Sequence, residues 1–111
     1  MDVGYQGDLA TQGRVEVFHN GVWGAVCYDS WDLKDADVVC RQLGFGGALA
    51  AKAHAAFGGG NRKIWLTNVQ CRGYESSLTG CTNSGWGTYY CRQNKYAAVM
   101  CSTGDNYTMF Y

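Results

Sequence analysis

The chain has 111 residues, six cysteines, no proline and a formal net charge of zero. This length fits one domain, and the balance of basic and acidic residues leaves no overall field that would attract nucleic acid or an anionic membrane. Hydrophobic residues make up 47% of the chain, which excludes a disordered segment, and no apolar run reaches the roughly 18–20 residues of a membrane span.

The first clear element is a β-hairpin over residues 14–27. Val15 and Val17 alternate with polar or exposed positions, which predicts a strand with one buried face. Asn20 and Gly21 form a strong two-residue turn signal, and a second apolar run follows them up to Cys27.

An amphipathic helix comes next. Asp32 is placed to accept hydrogen bonds from the first backbone N–H groups, and Asp35 lies in the first turn, where negative charge is favoured. Gly44 is a natural stop. Helical spacing predicts that one face is buried, formed by Leu33, Ala36, Val39, Cys40 and Leu43.

The second half of the chain gives weaker signals. Helix propensity alone predicts a helix of about ten residues over 48–57, between two glycine-rich stretches. Residues 64–66 predict a short strand, residues 75–78 a single helical turn, and residues 96–101 a closing strand.

The six cysteines predict a disulfide framework. No two of them are separated by only two residues, so the paired knuckles of zinc sites and of thioredoxin-like redox motifs are missing. An even number in a short chain indicates an oxidising, extracellular or secretory compartment. Spacing alone leaves many connectivities open among Cys27, Cys40, Cys71, Cys81, Cys91 and Cys101.

The order of these parts resembles a scavenger receptor cysteine-rich (SRCR) domain. The resemblance covers residues 13–102 and rests on several short blocks that are specific in combination. They are GRVEV at 13–17, WGAVC at 23–27, VVCRQLGF at 38–45, IWL at 64–66, VQCRG at 69–73, ESSL at 75–78, and the pair Trp86-Gly87.

The resemblance implies a compact α+β fold in which a curved, mostly antiparallel sheet cradles one helix. Residues 1–12 are polar and weakly patterned, which predicts an arm with one short strand before the domain at 13–102, and residues 103–111 are expected to form a tail. The resemblance favours an irregular loop over residues 46–60 against the helix that propensity predicts. The six-cysteine pattern is similar to the group A subclass, which implies the pairs Cys27–Cys91, Cys40–Cys101 and Cys71–Cys81.

The sequence offers little for catalysis. A nucleophile needs a base within hydrogen-bond reach, and the cysteines are expected in disulfides. His19 lies in the hairpin and His54 among small residues, where a satisfied or solvated side chain is the ordinary interpretation. We therefore expect that the domain is not an enzyme.

A weakened calcium site is a second expectation, carried over from the family. Asp29 and Glu75 match acidic positions that bind Ca²⁺ in many SRCR domains, and Asn68 is a weaker candidate ligand. Tyr28 replaces a habitual carboxylate beside Asp29. Fewer carboxylates predict weaker Ca²⁺ binding, so no cofactor is expected to be required.

Three surfaces are candidates for ligand contact. Arg14 and Glu16 belong to a segment that matches the family's bacterial-binding pattern, although its valines are expected to face the core. Arg62 and Lys63 are a basic pair suited to sulfate or phosphate groups. The third is an aromatic contact surface near the cysteines, comprising Tyr28 and Tyr96 at habitual acidic positions, with Tyr74, Tyr89, Tyr90 and Trp86.

Together these features predict a non-catalytic extracellular module of the scavenger or pattern-recognition type. By resemblance its partners would be microbial or host polyanions, lipoproteins or glycoproteins, and neither nucleic acid binding nor membrane insertion is expected. The alternative is a structural or adhesion module that docks a specific protein partner within a larger secreted or membrane-anchored protein. Asn106 begins an N-glycosylation sequon in the tail.

Overall fold

The computed structural model describes residues 2–6, 12–55, 63–87, 91 and 95–102. Its elements are β1 (Asp2–Gln6), β2 (Gln12–His19), β3 (Val22–Val26), α1 (Leu33–Gln42), β4 (Gly47–Ala55), β5 (Ile64–Leu66), a 3₁₀ turn (Leu78–Gly80) and β6 (Lys95–Ser102). The sheet has the order β4-β6-β2-β3-β5, with β1 also paired to β2. The β3–β5 pair is parallel and the other pairs are antiparallel. This is the curved α+β architecture that the resemblance implies.

The hairpin forms as predicted. Asn20 has φ +51° and Gly21 has φ +76°, and this left-handed turn joins β2 to β3. Val15 and Val17 are fully buried. Part of the predicted arm belongs to the sheet, because β1 pairs with β2 from Asp2 opposite Phe18 to Gln6 opposite Arg14. The proposed boundary at residue 13 and the separate tail over 103–111 remain predictions.

Helix α1 begins at the predicted cap. Asp32 Oδ1 accepts a hydrogen bond from the Asp35 backbone N–H at 3.1 Å, and Asp35 Oδ2 accepts one from the Asp32 N–H at 2.8 Å. Gly44, at φ +93°, follows the helix end. The predicted buried face is wrong at Leu33, which is exposed, because the buried stripe is formed instead by Asp35, Ala36, Val38, Val39 and Cys40.

Residues 46–60 differ from both expectations. Gly47–Ala55 form strand β4, neither a helix nor an irregular loop, and β4 pairs with β6 along its whole length. The strand is interrupted by a bulge between Ala48 and Ala50. Backbone hydrogen bonds to β6 outweigh the small helix preference of alanine, a difference of a fraction of a kcal/mol per residue. Residues 56–60 lie outside the described residues.

The other predicted elements are largely confirmed. Strands β5 and β6 occur where the pattern places them. The helical turn is shifted from residues 75–78 to Leu78–Gly80. Ser77 caps that turn, whereas the Glu75 carboxylate accepts hydrogen bonds from the backbone preceding it.

Three disulfides fix the core, with the pairing that the resemblance implies: Cys27–Cys91, Cys40–Cys101 and Cys71–Cys81. The first two join residues 64 and 61 positions apart. In the chain-entropy model each such closed loop contributes about 4 kcal/mol of stability. Cys40 on α1 and Cys101 on β6 are both fully buried, so this bond ties the helix to an interior strand of the sheet.

Asp35 is the buried carboxylate of the helix. Its Oδ1 atom accepts a hydrogen bond from the Cys71 N–H at 2.7 Å, which joins α1 to the loop of the Cys71–Cys81 disulfide. Burial raises the pKa of Asp35 from the ordinary 3.8 to about 7, the nearby Asp32 carboxylate adds to the rise, and the two backbone hydrogen bonds oppose it. The folded state therefore holds this proton more tightly than the unfolded chain.

We predict that the free energy of unfolding falls as the pH rises from about 4 to about 7. In this window Asp35 is ionised in the unfolded chain and still protonated in the folded domain, so raising the pH favours unfolding. Urea unfolding at several pH values measures the slope. The slope should flatten in Asp35→Asn, which cannot ionise, and persist in Leu33→Ala, an exposed control on the same helix. An unchanged slope in Asp35→Asn would contradict the assignment.

Candidate functional site

The loop from Cys71 to Glu75 is held by the Glu75 carboxylate, which turns back onto the loop's own backbone. Both oxygens of Glu75 accept hydrogen bonds from the Arg72 N–H, at 2.9 and 3.2 Å, and Oε1 also accepts one from the Gly73 N–H at 3.0 Å. The hydrogen bond from Arg72 is the main reason that the pKa of Glu75 lies below its usual range. Glu75 therefore stabilises the conformation of this loop through hydrogen bonds to the loop's own backbone.

Arg41, on helix α1, fixes the same loop from the side that faces the helix. The Arg41 guanidinium donates to the Gly73 carbonyl at 2.8 and 3.1 Å and to the Glu75 carbonyl at 2.9 Å. Together with the Cys71–Cys81 disulfide, these contacts give a loop of defined shape. The Tyr74 side chain, which is 73% exposed, projects from it.

An open cavity of about 470 Å³ lies beside this loop. Its polar side chains include Gln70, Arg72, Glu75 and Thr82, and Tyr74 contributes its ring. The volume is within the roughly 300–1,000 Å³ of small-ligand sites, although its lining is more polar than most of them.

A second open cavity, of about 290 Å³, shares Gln70 and Thr82 with the first. These two residues pair through backbone and side chain: the Gln70 N–H donates to the Thr82 carbonyl at 2.9 Å, and Thr82 Oγ1 donates to the Gln70 carbonyl at 3.0 Å. The second cavity is completed by Asn68, Asn83 and Ser84. We call residues 68–75 and 82–86, which carry both cavities, the loop face.

Asn68 ties the loop face to the loop that follows β3. Its Oδ1 accepts a hydrogen bond from Ser30 Oγ at 2.8 Å, and its Nδ2 donates to Ser84 Oγ at 3.1 Å. Ser30 and Asn68 both have positive φ, at 68° and 56°. The amide of Asn68 thus connects three loops.

An aromatic cluster closes one end of the loop face. The His19 ring stacks on Trp86 at 3.8 Å between centroids, and Trp65 meets both rings edge-on. Lys63 Nζ lies 4.7 Å from the Trp65 ring centroid. Trp86 stands between two glycines of positive φ and is 40% exposed. His19 is therefore a stacking residue of this cluster.

The calcium candidates from the sequence are Asp29, Glu75 and Asn68. Among the described residues, two groups of three potential ligands occur, and Asp29 belongs to one while Glu75 belongs to the other. The remaining members are the cysteines of two disulfides, which are not thiolate ligands. Glu75 and Asn68 hold their oxygens in internal hydrogen bonds. Calcium binding by Asp29, Glu75 and Asn68 therefore stays a prediction.

The charged ligand candidates have structural partners. Glu16 is only 2% exposed, and its carboxylate pairs with Arg14 at 2.8 Å. Side chains on both faces of this part of the sheet are covered, since Val15 and Val17, the neighbours of Glu16, are also buried. Lys63 lies over Trp65. Arg62 lies outside the described residues.

The predicted aromatic surface is also corrected. Tyr96 is 3% exposed, because β6 runs between β4 and β2 and its ring packs near the Arg14 guanidinium at 5.8 Å. Tyr28 is half-buried against the core. Tyr74 and Trp86 are exposed as predicted. Tyr89, Tyr90 and Asn106 lie outside the described residues.

Sequence reasoning missed the polar residues of the loop face. Gln70, Arg72, Thr82 and Asn83 are unremarkable in isolation, and only the Gln70–Thr82 pairing brings them together. The available signal was the short Cys71–Cys81 interval, since a disulfide across ten residues forces its two flanking segments to lie side by side.

A small α+β domain with three disulfides is a disulfide-stabilised domain of the type found in secreted proteins and receptor ectodomains. The profile of the scavenger receptor cysteine-rich domain matches residues 5–102, and the chain belongs to this family. SRCR domains are in general non-catalytic binding modules that need no cofactor.

Named relatives agree with this assignment. The chain is 51% identical over 96 residues to galectin-3-binding protein of Bos taurus and 49% identical to that of Rattus norvegicus. Each match covers 86% of this chain and 17% of the relative, so the chain spans about a sixth of their length.

Two solved structures are similar. The SRCR domain of mouse MARCO, in its dimeric form, has a TM-score of 0.69 and 46% identity, covering 82% of this chain and 86% of that one. The third SRCR domain of murine neurotrypsin has a TM-score of 0.75 and 42% identity, covering 90% and 94%.

We predict that Glu75→Ala loosens the loop without unfolding the domain. The Arg72 and Gly73 amide hydrogens lose their carboxylate acceptor, so their exchange with deuterium should become about tenfold faster or more. Hydrogen exchange followed by NMR measures this. Asp29→Ala is the control, since Asp29 accepts from neither amide. Equal exchange in Glu75→Ala and the wild type would contradict the fastening role.

Proposed function

We propose that this chain is a non-catalytic extracellular recognition module that binds a protein or glycoprotein through its loop face. The observation that carries the proposal is Tyr74, an aromatic side chain 73% exposed on a loop fixed by Glu75, Arg41 and a disulfide. A large ring presented on a fixed loop adds contact area at low entropic cost. Trp86 extends the same surface.

The charge arrangement favours this partner class over polyanions. Arg14 is paired with Glu16, Arg41 is held by loop carbonyls, and Lys63 lies on the Trp65 ring. The Glu16 carboxylate offsets the charge of Arg14, and the chain's formal net charge is zero, whereas capture of a polyanion depends on a surface of one sign. A protein or glycoprotein partner needs no such field.

Capture of microbial or host polyanions or lipoproteins is the second candidate. It is supported by three cations around Gly73: Arg41 donates to its carbonyl, Arg72 precedes it, and a Cβ placed on Gly73 would lie 3.7 Å from Lys34 Cγ. This cluster is small, so a useful affinity would come from several copies acting together.

The relatives support an extracellular protein-binding role. Galectin-3-binding protein is by its name a protein that binds another protein, and SRCR domains occur in extracellular or ectodomain settings. Among the described residues, no helix has the length and apolar character needed to cross a bilayer. Because Glu75 and Asn68 are engaged within the fold, we further propose that partner binding needs no Ca²⁺.

The dependence of binding on salt and on a chelator distinguishes recognition of a glycoprotein from capture of a polyanion. With the domain immobilised, we expect asialofetuin, a glycoprotein with neutral sugar chains, to bind with less than about twofold change when sodium chloride rises from about 0.05 to about 0.5 M. Dextran sulfate is the polyanion control, and its binding should fall more than about tenfold. EDTA should change neither. Retention of dextran sulfate alone would favour the second candidate, and retention of neither probe would overturn the proposed function.

A further inference from the structure

The loop face holds two adjoining cavities, of about 470 and 290 Å³, on either side of the Gln70–Thr82 pair. An extended ligand can therefore lie along both. The lining is mostly polar: it includes amides from Asn68, Gln70 and Asn83, hydroxyls from Thr82 and Ser84, the charged side chains of Arg72 and Glu75, and Tyr74.

Several of these groups are available to a ligand. Within the described part of the chain, neither the Gln70 side-chain amide nor the Tyr74 hydroxyl has a hydrogen-bond partner, and the Arg72 guanidinium forms no hydrogen bond or ion pair. Thr82 Oγ1 donates to the Gln70 carbonyl and keeps its own lone pairs as acceptors. The surface thus offers a ligand both donors and acceptors.

The backbone beneath these groups is fixed before any ligand arrives. The Glu75 carboxylate and the Arg41 guanidinium hold the loop that carries Arg72 and Tyr74. The Asn83 side chain holds the other wall, because its Nδ2 donates to the Cys81 carbonyl at 3.1 Å and its Oδ1 accepts from the Gly85 N–H at 2.7 Å. Preorganisation of this kind lowers the cost of binding.

The charges of the two cavities cancel. Arg72 and Glu75 are the charged lining residues, one of each sign, and the other lining side chains are neutral. A polyanion gains little here, and the polar lining is unsuited to an apolar ligand. A neutral sugar matches it: its hydroxyls both donate and accept, and its C–H face can stack on an aromatic ring.

We propose that the loop face binds the neutral sugar chain of a glycoprotein, with Tyr74 as the stacking platform and Gln70, Arg72 and Thr82 as hydrogen-bonding residues. This inference rests on the proposed function and names the chemical class of its ligand. The loop face is then a lectin-like site, and the protein part of the partner contributes less than its sugar.

The test is an NMR titration of the ¹⁵N-labelled chain with neutral N-glycans released from asialofetuin. We expect shifts of the Gln70 side-chain amide and of the Arg72 and Gly73 backbone amides. Tyr74→Ala should weaken binding about fivefold or more, and Tyr74→Phe, which keeps the ring, should stay within about twofold of the wild type. Leu49→Ala, an exposed apolar control on β4, should bind like the wild type.

The outcomes separate this inference from the proposed function. If intact asialofetuin binds but its released glycans cause no shifts, or if enzymatic deglycosylation leaves its binding unchanged, the sugar site is overturned while a protein-binding function stands. If neither intact asialofetuin nor dextran sulfate binds, the proposed function fails as well. Equal glycan binding by Tyr74→Ala and the wild type would also contradict the site.

Discussion

The bond between Cys40 on α1 and Cys101 on β6 is the constraint around which the domain is organised. Strand β6 lies between β4 and β2, so this disulfide fixes the helix against an interior strand of the sheet. The Cys27–Cys91 bond closes a second loop of similar span. In a chain of this size the apolar core is limited, and two long-range cross-links lower the entropy of the unfolded chain by an amount comparable to the net stability of a domain.

Hydrogen bonds accepted by carboxylates stabilise the fold in addition to the disulfides. Asp35 joins α1 to Cys71, Asp37 accepts a hydrogen bond from the Ala48 N–H at 2.7 Å beside β4, and Glu75 closes the loop at Arg72 and Gly73. Each satisfies a backbone N–H that would otherwise lack an acceptor. The hydrogen bonds of these acidic groups therefore stabilise the fold.

These internal hydrogen bonds also determine which side chains remain available to partners. Where acidic and basic side chains fasten one loop to another, the surface they leave is made of amides, hydroxyls and aromatic rings. Gln70, Thr82 and Tyr74 form that surface here. A rigid, neutral and polar face is suited to a polar, uncharged ligand, and this is the physical link between the internal hydrogen bonds and the proposed recognition of glycoproteins.

The sequence by itself determined the local structure and, through its blocks around the cysteines, the family. The turn at Asn20-Gly21 and the cap at Asp32 are short-range signals, and both were correct. The alternation around Val15 correctly predicted a strand, but its expectation of one buried face was wrong, because Glu16 is buried as well. The tertiary structure alone decided that residues 47–55 form a strand, that Glu16 and Tyr96 are buried, and that Gln70 and Thr82 adjoin. Strand pairing, burial and cavity shape depend on residues far apart in the chain, so no local pattern encodes them.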